Sequence, residues 1–549
     1  MANPYLRNSL TWAQKNVQPI LAFILLAFQV WVPWTVSTFV TEDGPSHLYN
    51  ATVAWNLLVH PSSDYAKVYA FNHHVVPNWG STVVLGLIAS IAGVTHAEQL
   101  FITLAITAGF CAFAYAIRAV APAAQCWTPL TNFLLQSWFL WLGFYNFYLA
   151  MALCPLVVGY YIRHANAFTP KKTAVLGCGM TALFLTHLIP AALAGLAIVL
   201  IALWINIAAP WWLSAERPPL RITALRVAPV VLALMPMLIL TGSFARSSRE
   251  HINFKTAFTS ALEQFPRHVF TTSSGQAGNQ FLLYPAVLCM IVLAMITMRR
   301  AEWQTARGGL AISTVAAFLV YLLVPDTGLG GKDAKIRFAW GVFVLGGLLL
   351  ATTRRFRPFR VPFDVYVFVL LISTLVSTQD SLWNYTDAVE DYLDATKQIS
   401  KGATLVRLRY PTPDIPERYG FQEIARDPLF HLDSYVAAQC ACLDLTDYQA
   451  PNNIFPVVFS EAVGEGQRGG LWSLEGPEQD ADQVLTWLRS TLPVPIDYVI
   501  LVADRSTPGV DGPAFKGVVT RLTSEMRLVG TSGDRPFVHV YQRIRAAVP

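Results

Sequence analysis

Apolar stretches of about 20 residues recur eleven times in the first 380 positions of this 549-residue chain. A helix needs about 20 apolar residues, and no fewer than roughly 17, to cross the hydrocarbon core of a bilayer. Only 13% of the residues are charged, well below the share in soluble proteins. The sequence therefore argues against a disordered chain or a purely soluble enzyme, and predicts an α-helical polytopic membrane protein with about 11 transmembrane helices. The predicted spans are residues 19–40, 98–117, 128–143, 145–162, 173–188, 190–209, 223–241, 281–298, 309–325, 337–353 and 362–380.

The charge balance changes sign near residue 380. Residues 1–380 hold 24 Lys and Arg against 12 Asp and Glu, whereas residues 381–549 hold 15 against 22. In the second part helical and strand patterns alternate, which is typical of a small, mostly parallel sheet. We therefore predict a transmembrane domain over 1–380 and a C-terminal α/β soluble domain over 381–549. Its expected strands are 403–409, 454–460, 497–503 and 536–543.

The seven cysteines give no sign of a disulfide framework. Five of them lie in or beside apolar segments, where cysteine behaves as a small hydrophobic residue. Cys440 and Cys442 are two positions apart, a spacing that we expect to be too short for an easy bridge.

Basic residues favour the cytoplasmic side of a membrane, so they fix the predicted orientation. Four basic turns follow predicted spans, around Arg163, Arg221, Arg299 and Arg354. All four lie on the same side of the membrane as the N-terminus only if the apolar run 80–93 does not cross the membrane. We therefore predict a cytoplasmic N-terminus, an interfacial or re-entrant helix at 80–93 on the outer face, and an extracytoplasmic C-terminal domain. The outer segments are then 41–97, the Phe144 turn, the His187 turn, 242–280, 326–336 and everything after 380.

The first outer segment contains the strongest candidates for catalytic side chains. Glu42 and Asp43 precede a tight Gly-Pro turn, and His47 follows four residues after Asp43, on the same side if the chain turns helical. A carboxylate fixed at such a turn can deprotonate a hydroxyl or hold a divalent metal. The alternative is that Asp43 only caps the helix that begins at Pro45, since Asp is a preferred capping residue.

Two other outer segments contain basic residues, although Lys and Arg generally favour the cytoplasmic side of a membrane. Lys332, Lys335 and Arg337 surround the predicted start of a helix, where backbone N–H groups and guanidinium forks suit a phosphate. The alternative is a set of anchors for lipid headgroups. The segment 242–280 contains Arg246 and Arg249, and its 39 residues exceed what a connection needs, so we interpret it as a lid or an interfacial segment.

Three local features stand out: Glu42-Asp43 in the first outer segment, His187 before Pro190, and Arg337. Together with the many spans and the outer C-terminal domain, they resemble the GT-C superfamily. Its members are integral-membrane glycosyltransferases that use polyprenyl-phosphate sugars, such as aminoarabinose transferases and protein O-mannosyltransferases. The resemblance implies that Asp43, with Glu42 beside it, is the catalytic or metal-associated acid, and that His187 contacts substrate or the same divalent metal. Many members have a second acid in the second outer loop, where this chain has Asn146, which can hold substrate but cannot act as a base.

The resemblance implies transfer of a sugar, with inversion, from a polyprenyl-phosphate donor to a lipid, glycan or protein acceptor on the outer face of the plasma membrane. That face is periplasmic in a Gram-negative cell. The expected substrate-binding residues are His47, Asn146, His187, Lys332, Lys335, Arg337, Arg246 and Arg249. A divalent metal is the one cofactor considered, and no nucleic acid partner is expected. A lipid-carrier flippase or transporter, and a non-catalytic membrane assembly protein, stay open as alternatives.

Overall fold

The computed structural model describes residues 4–213, 219–247, 277–325, 333–353, 357–412, 414–419, 427, 429–464 and 493–544. The chain divides into two compact units. The first, here called the helical unit, comprises Met1–Pro33, His74–Gly80 and Ile102–Thr378. The second, the mixed unit, comprises Trp34–His73, Ser81–Phe101 and Gln379–Pro549.

Helices dominate the described chain. They are α1 Pro4–Trp31, α2 Gly44–Val59, α3 Trp79–Ala92, α4 Ala97–Val120, α5 Pro129–Leu135, α6 Trp138–Trp141, α7 Tyr145–His164, α8 Pro170–Thr186, α9 Leu188–Leu203, α10 Ala209–Leu213, α11 Leu220–Ser247, α12 Ala277–Thr297, α13 Arg300–Trp303, α14 Ala306–Leu323, α15 Ala334–Thr352, α16 Arg357–Thr396, α17 Ile415–Tyr419, α18 Leu432–Cys440 and α19 Pro513–Glu525. The strands are β1 Tyr69–Phe71, β2 Thr404–Arg409, β3 Leu443–Asp444, β4 Val457–Phe459, β5 Tyr498–Val502, β6 Met526–Thr531 and β7 Val538–Arg543.

Eight helices within the described residues are long and apolar enough to cross a membrane, so the chain is a multi-pass membrane protein. They match eight of the eleven predicted spans. Of the other three, 281–298 falls on α12, 173–188 on the 17-residue helix α8, and 128–143 on the short helices α5 and α6. The helix predicted to be interfacial, α3, has 14 residues, about 21 Å at 1.5 Å per residue, which is shorter than a bilayer core. The eight segments are Asn16–Thr35, Ala97–Val120, Tyr145–His164, Leu188–Leu213, Arg221–Ser247, Ala306–Leu323, Ala334–Thr352 and Phe359–Thr396.

The prediction of one continuous helix over 128–143 is wrong. Two short helices, α5 and α6, occupy it, separated by extended backbone at Gln136. Hydroxyl groups start both helices: Thr128 Oγ1 accepts from the N–H of Leu130, and Ser137 Oγ accepts from the N–H of Phe139. All of α5 is buried, and broken helices are tolerated at membrane depth only where protein surrounds them.

The structure confirms the helix break expected near Pro190. The break lies at His187, three residues before the proline. Helix α8 ends at Thr186, and His187 is fully extended, with φ −166° and ψ 135°. Helix α9 begins at Leu188 because the first turn of a helix accepts a proline, whose missing N–H is not needed there. The break therefore places His187 between two helix ends.

The five-stranded sheet of the mixed unit contains both parallel and antiparallel strand pairs, whereas the sequence predicted a mostly parallel sheet. Its order is β3-β2-β5-β7-β6, with β2 parallel to β3 and β5, and β7 antiparallel to β5 and β6. The short connection from β6 to β7 allows only antiparallel pairing, since a parallel crossover needs a dozen or more residues. The predicted strand 454–460 is β4, which pairs with β1 in a separate two-stranded sheet.

Cys440 and Cys442 form a disulfide, which corrects the expectation that they are too close to pair. Ala441 ends α18 in the left-handed region, at φ +52°. This turn sets the two Cα atoms 5.2 Å apart, within the ordinary range for a bridge.

Candidate functional site

Asp43 occupies the N-cap position of α2, but its carboxylate makes no capping hydrogen bond. The N–H of Gly44 donates to Thr41 Oγ1 at 3.1 Å instead. The carboxylate accepts a hydrogen bond at Oδ2 from the hydroxyl of Tyr448, at 3.0 Å, and its Oδ1 lies 3.5 Å from Nε2 of His431. The capping interpretation therefore fits the backbone of Asp43 but not its side chain.

The two partners of Asp43 hold each other in place. The rings of Tyr448 and His431 stack with centroids 4.5 Å apart and an interplanar angle of 24°. His431 is itself the N-cap residue of α18. Phe455 lies edge-on to Tyr448 at 6.2 Å. The carboxylate thus rests against two side chains that are buried and packed, which limits its movement.

His47 joins the same cluster through Gln449 rather than through direct contact with the carboxylate. Nε2 of Gln449 donates to Nδ1 of His47 at 3.0 Å and to the hydroxyl of Tyr448 at 3.3 Å. Burial lowers the pKa of His47 to about 3, so its ring is neutral, with Nδ1 accepting and the proton on Nε2. The predicted convergence of Asp43 and His47 is therefore indirect.

The surroundings fix the protonation of both neighbours of Asp43. Burial, and then the charges of Arg407 and Arg409, lower the pKa of His431 well below its usual value, so this ring is neutral. Burial, and then the charge of Asp43, raise the pKa of Tyr448 well above its usual value. Tyr448 therefore stays protonated and donates its hydrogen bond to the carboxylate of Asp43.

Buried carboxylates anchor α2 to the turn that carries Tyr448. Asp447 accepts from Ser46 Oγ at 2.8 Å and from Asn50 Nδ2 at 2.9 Å, and both donors lie on α2. Asp444, at the end of β3, accepts from Ser434 Oγ at 2.7 Å. The two bonds to Asp447 join segments about 400 residues apart, so they set the position of Asp43 relative to Tyr448.

The buried carboxylates make a contribution to the stability of the protein that decreases as the pH rises. Burial raises the pKa of Asp447 to about 6, and burial together with Asp433 and Asp447 raises the pKa of Asp444. A raised carboxyl pKa means that the folded state binds more protons than the unfolded state, so this stability is present at pH 4 and is lost as the pH rises through 6. For Asp447 the loss is about 3 kcal/mol.

Thermal unfolding in detergent between pH 4 and pH 7 measures this effect. Burial of the neutral rings of His47 and His431 acts in the opposite direction, so the difference between two proteins is the test. As the pH rises, the midpoint temperature of the wild type should fall relative to that of Asp447→Asn. Asp64→Asn, at an exposed carboxylate that pairs with Lys67, should keep the wild-type slope. An equal slope in Asp447→Asn and the wild type would contradict the assignment.

A second cluster lies in the helical unit around Arg337 and His187. Nδ1 of His187 accepts from the N–H of Ile189 at 3.1 Å, and its Nε2 lies 3.1 Å from Nη1 of Arg337. The guanidinium lies over the rings of Phe144 and Phe147, 4.8 Å and 5.5 Å from their centroids. The sequence singled out both Arg337 and His187, and the structure brings them together.

The turn before α7 presents the aromatic side of this second cluster. Gly143 has φ +75°, a conformation that favours glycine, and the chain then enters α7 with Asn146 buried in its first turn. Lys335 is also buried, but its ammonium lies 5.9 Å from the ring of Tyr321. Residues two apart on a helix point to different sides, so Lys335 and Arg337 diverge.

The other predicted site residues give less structural information. Glu42 is buried, and Arg246 is exposed in the last turn of α11. Lys332 and Arg249 lie outside the described residues. Within the described ranges no group of three or more His, Cys, Asp or Glu side chains is arranged to hold a metal ion. The candidate metal ligands Asp43 and His187 belong to different units.

Tyr448 and Gln449 are site residues that the sequence analysis missed, and His431 was not assigned there. Tyr448 is 405 positions from Asp43, so no local pattern links them. One signal was present: polar residues follow the strand at 443–444, and ligands gather at the carboxyl ends of parallel strands.

No family model matches the chain, and no curated protein matches it in sequence. Its structure is similar to the crystal structure of ArnT from Cupriavidus metallidurans bound to undecaprenyl phosphate. The TM-score is 0.50 at 11% sequence identity, and the match covers 96% of this chain and 98% of that chain. The chain has a GT-C-like fold. The GT-C-like fold confirms the predicted architecture of membrane helices with a small C-terminal sheet; at this identity the likeness concerns the fold alone.

Proposed function

We propose that the chain is a membrane glycosyltransferase that moves a sugar from a polyprenyl-phosphate carrier to an acceptor on the outer face of the membrane. The observation that carries the proposal is the carboxylate of Asp43, which is held by Tyr448 instead of capping its helix. The GT-C-like fold supports it, because ArnT, with the same architecture, was crystallised with undecaprenyl phosphate.

In the proposed reaction the hydroxyl oxygen of the acceptor attacks the anomeric carbon of the donor sugar. The bond from that carbon to the phosphate oxygen breaks, and polyprenyl phosphate leaves with the electron pair. The proton of the hydroxyl passes to Asp43, because burial lowers the pKa of His47 and His431 and makes both imidazoles weak bases, and because Tyr448 stays protonated. A single displacement of this kind inverts the anomeric configuration.

We assign the phosphate of the donor to Arg337 and His187. Nη1 of Arg337 lies 3.1 Å from Nε2 of His187, so the guanidinium and the imidazole lie side by side. The guanidinium also lies over the rings of Phe144 and Phe147, which limits its movement. A guanidinium held in this way presents its fork of N–H groups to phosphate oxygens, which favours a phosphate over a passive lipid anchor.

The remaining candidates take subsidiary roles in this proposal. Asn146 lies between Phe144 and Phe147, in the first turn of α7, and contacts the sugar. Lys332, Lys335, Arg246 and Arg249 supply positive charge for the carrier lipid. A divalent metal is not used, because the donor set around Asp43 does not fit one: a single histidine nitrogen lies 3.5 Å away, and no three-ligand group occurs in the described ranges.

The proposed orientation is a cytoplasmic N-terminus with Asp43 and the C-terminal domain outside. A reporter that is active only outside the cytoplasm should be active when fused after residue 400 and silent when fused at 170, because Arg163, Lys171 and Lys172 favour the inside. Reporter activity in cells measures this, with immunoblotting as the control for expression. Activity at 170 would reverse the parity and make 80–93 a span.

Purified protein and a radiolabelled polyprenyl-phosphate sugar test the function. The expected result is labelled acceptor together with released polyprenyl phosphate, when membrane lipid, glycan or protein fractions are supplied. A flippase would move the donor across vesicles without cleaving it, and an assembly protein would do neither. Binding of the donor with no cleavage in the presence of every acceptor fraction would reject the proposal.

A further inference from the structure

We propose that Tyr448 is a positioning residue for Asp43, so that the C-terminal domain completes the transferase site. The inference rests on the proposed function, because it takes Asp43 as the base. In this inference two segments, 41–47 and 431–455, form the site, and they contact each other within the mixed unit.

The hydrogen bonds around Tyr448 have one consistent direction. Gln449 is held by His47 and donates to the phenolic oxygen of Tyr448. That oxygen therefore accepts on one side, and its own O–H is left to donate to Asp43 Oδ2 at 3.0 Å. His47 also donates its backbone N–H to the carbonyl oxygen of Asp43 at 3.1 Å. The four residues form a closed ring of contacts that fixes both the backbone and the carboxylate of Asp43.

The ring of Tyr448 cannot easily turn away from Asp43. It stacks on His431 and meets the edge of Phe455. Its carbonyl accepts from Nδ2 of Asn452 at 2.6 Å, which also fixes the backbone. The phenol is therefore a preorganised donor, and a preorganised donor orients a charged partner without reorganising during the reaction.

The role follows from where Asp43 would otherwise point. An aspartate at an N-cap position normally turns its carboxylate to the first N–H groups of the helix. Here Thr41 takes the N–H of Gly44, and Tyr448 draws the carboxylate away from the helix end. The terminal torsion of an aspartate is soft, so without the phenol the carboxylate can rotate back to the helix and leave the acceptor hydroxyl. Tyr448 thus keeps Asp43 available as a base.

Tyr448→Phe tests this, because it keeps the ring and its stacking but removes the donor. We expect kcat to fall roughly 10- to 100-fold, the effect of losing one hydrogen bond to a charged group, with KM for the donor within about threefold of wild type. The acidic limb of the pH–rate profile should move to higher pH, since the anionic carboxylate loses a stabilising bond. A merely structural phenol would lower the unfolding temperature and leave both kcat and the limb unchanged.

Tyr65→Phe is the matched control. Tyr65 is also buried in the mixed unit, and its hydroxyl has no hydrogen-bond partner among the described residues. Its removal should leave kcat and the pH profile at wild-type values. A Tyr448→Phe enzyme with wild-type kcat, while Asp43→Asn is inactive, would overturn this inference and leave the proposed function standing.

A double-mutant cycle on stability tests the contact without any substrate. Tyr448→Phe, Asp43→Ala and the double variant are compared by thermal unfolding. Because either change removes the same hydrogen bond, the shift of the double variant should be smaller than the two single shifts together. Additive shifts would mean that Tyr448 and Asp43 are not coupled, and would overturn the inference whether or not transfer is detected.

Discussion

Asp43→Asn is expected to lower the rate of sugar transfer by roughly 10²- to 10⁴-fold, the usual contribution of a general base. Asparagine keeps the size of the side chain and can still accept the hydrogen bond from Tyr448 through its amide oxygen. It lacks the negative charge and the basic oxygen that takes the proton from the acceptor. Folding should be unaffected, because the native carboxylate makes no capping bond and asparagine caps as well as aspartate.

The measurement is transfer of labelled sugar by purified enzyme, with thermal unfolding as a check on the fold. Asp64→Asn is the matched control, since Asp64 is an exposed carboxylate in the same unit, and it should keep full activity. Glu42→Gln should cost less than Asp43→Asn if Asp43 alone takes the proton. Transfer by Asp43→Asn within a few-fold of wild type would reject Asp43 as the base.

Arg337→Ala is expected to weaken binding of the polyprenyl-phosphate donor by about 1.5–3 kcal/mol, the range for a hydrogen bond to a charged group. This corresponds to a loss of roughly 10- to 150-fold in affinity. Arg337→Lys should recover only part of it, because an ammonium lacks the planar fork and stacks less well on Phe144 and Phe147. Direct binding of a labelled donor to purified protein measures both variants.

Two further variants sharpen that experiment. His187→Asn keeps a residue that can cap α9 but removes Nε2, so it should weaken donor binding without unfolding the helix break. Arg118→Ala, at an exposed arginine near the end of α4, should leave donor affinity unchanged. Wild-type donor affinity in both Arg337 variants would make this cluster a headgroup anchor.

The sequence alone determined the membrane class and most of the helices. The length of an apolar stretch is a local property, and it decides by itself whether a helix can cross a bilayer. The break between α8 and α9 was also local, because a proline cannot continue a helix that reaches it from the N-terminal side. The candidates Asp43 and Arg337 were also recognisable from local sequence, because Asp43 precedes a Gly-Pro turn and Arg337 is a basic residue in an outer segment, where the positive-inside rule disfavours it.

Only the tertiary structure decided what these residues contact. The stretch 128–143 is apolar throughout, yet two hydroxyl caps divide it, and a buried position makes the division tolerable. The direction of β7 depends on which strand it lies beside, which periodicity does not encode. Asp43 sits at a cap position by sequence, but a phenol 405 residues away takes its carboxylate, because packing of α2 against the turn after β3 brings that phenol within 3.0 Å. Long-range packing thus decides whether the carboxylate of Asp43 caps its helix or is held by Tyr448, as the proposed role of a base requires.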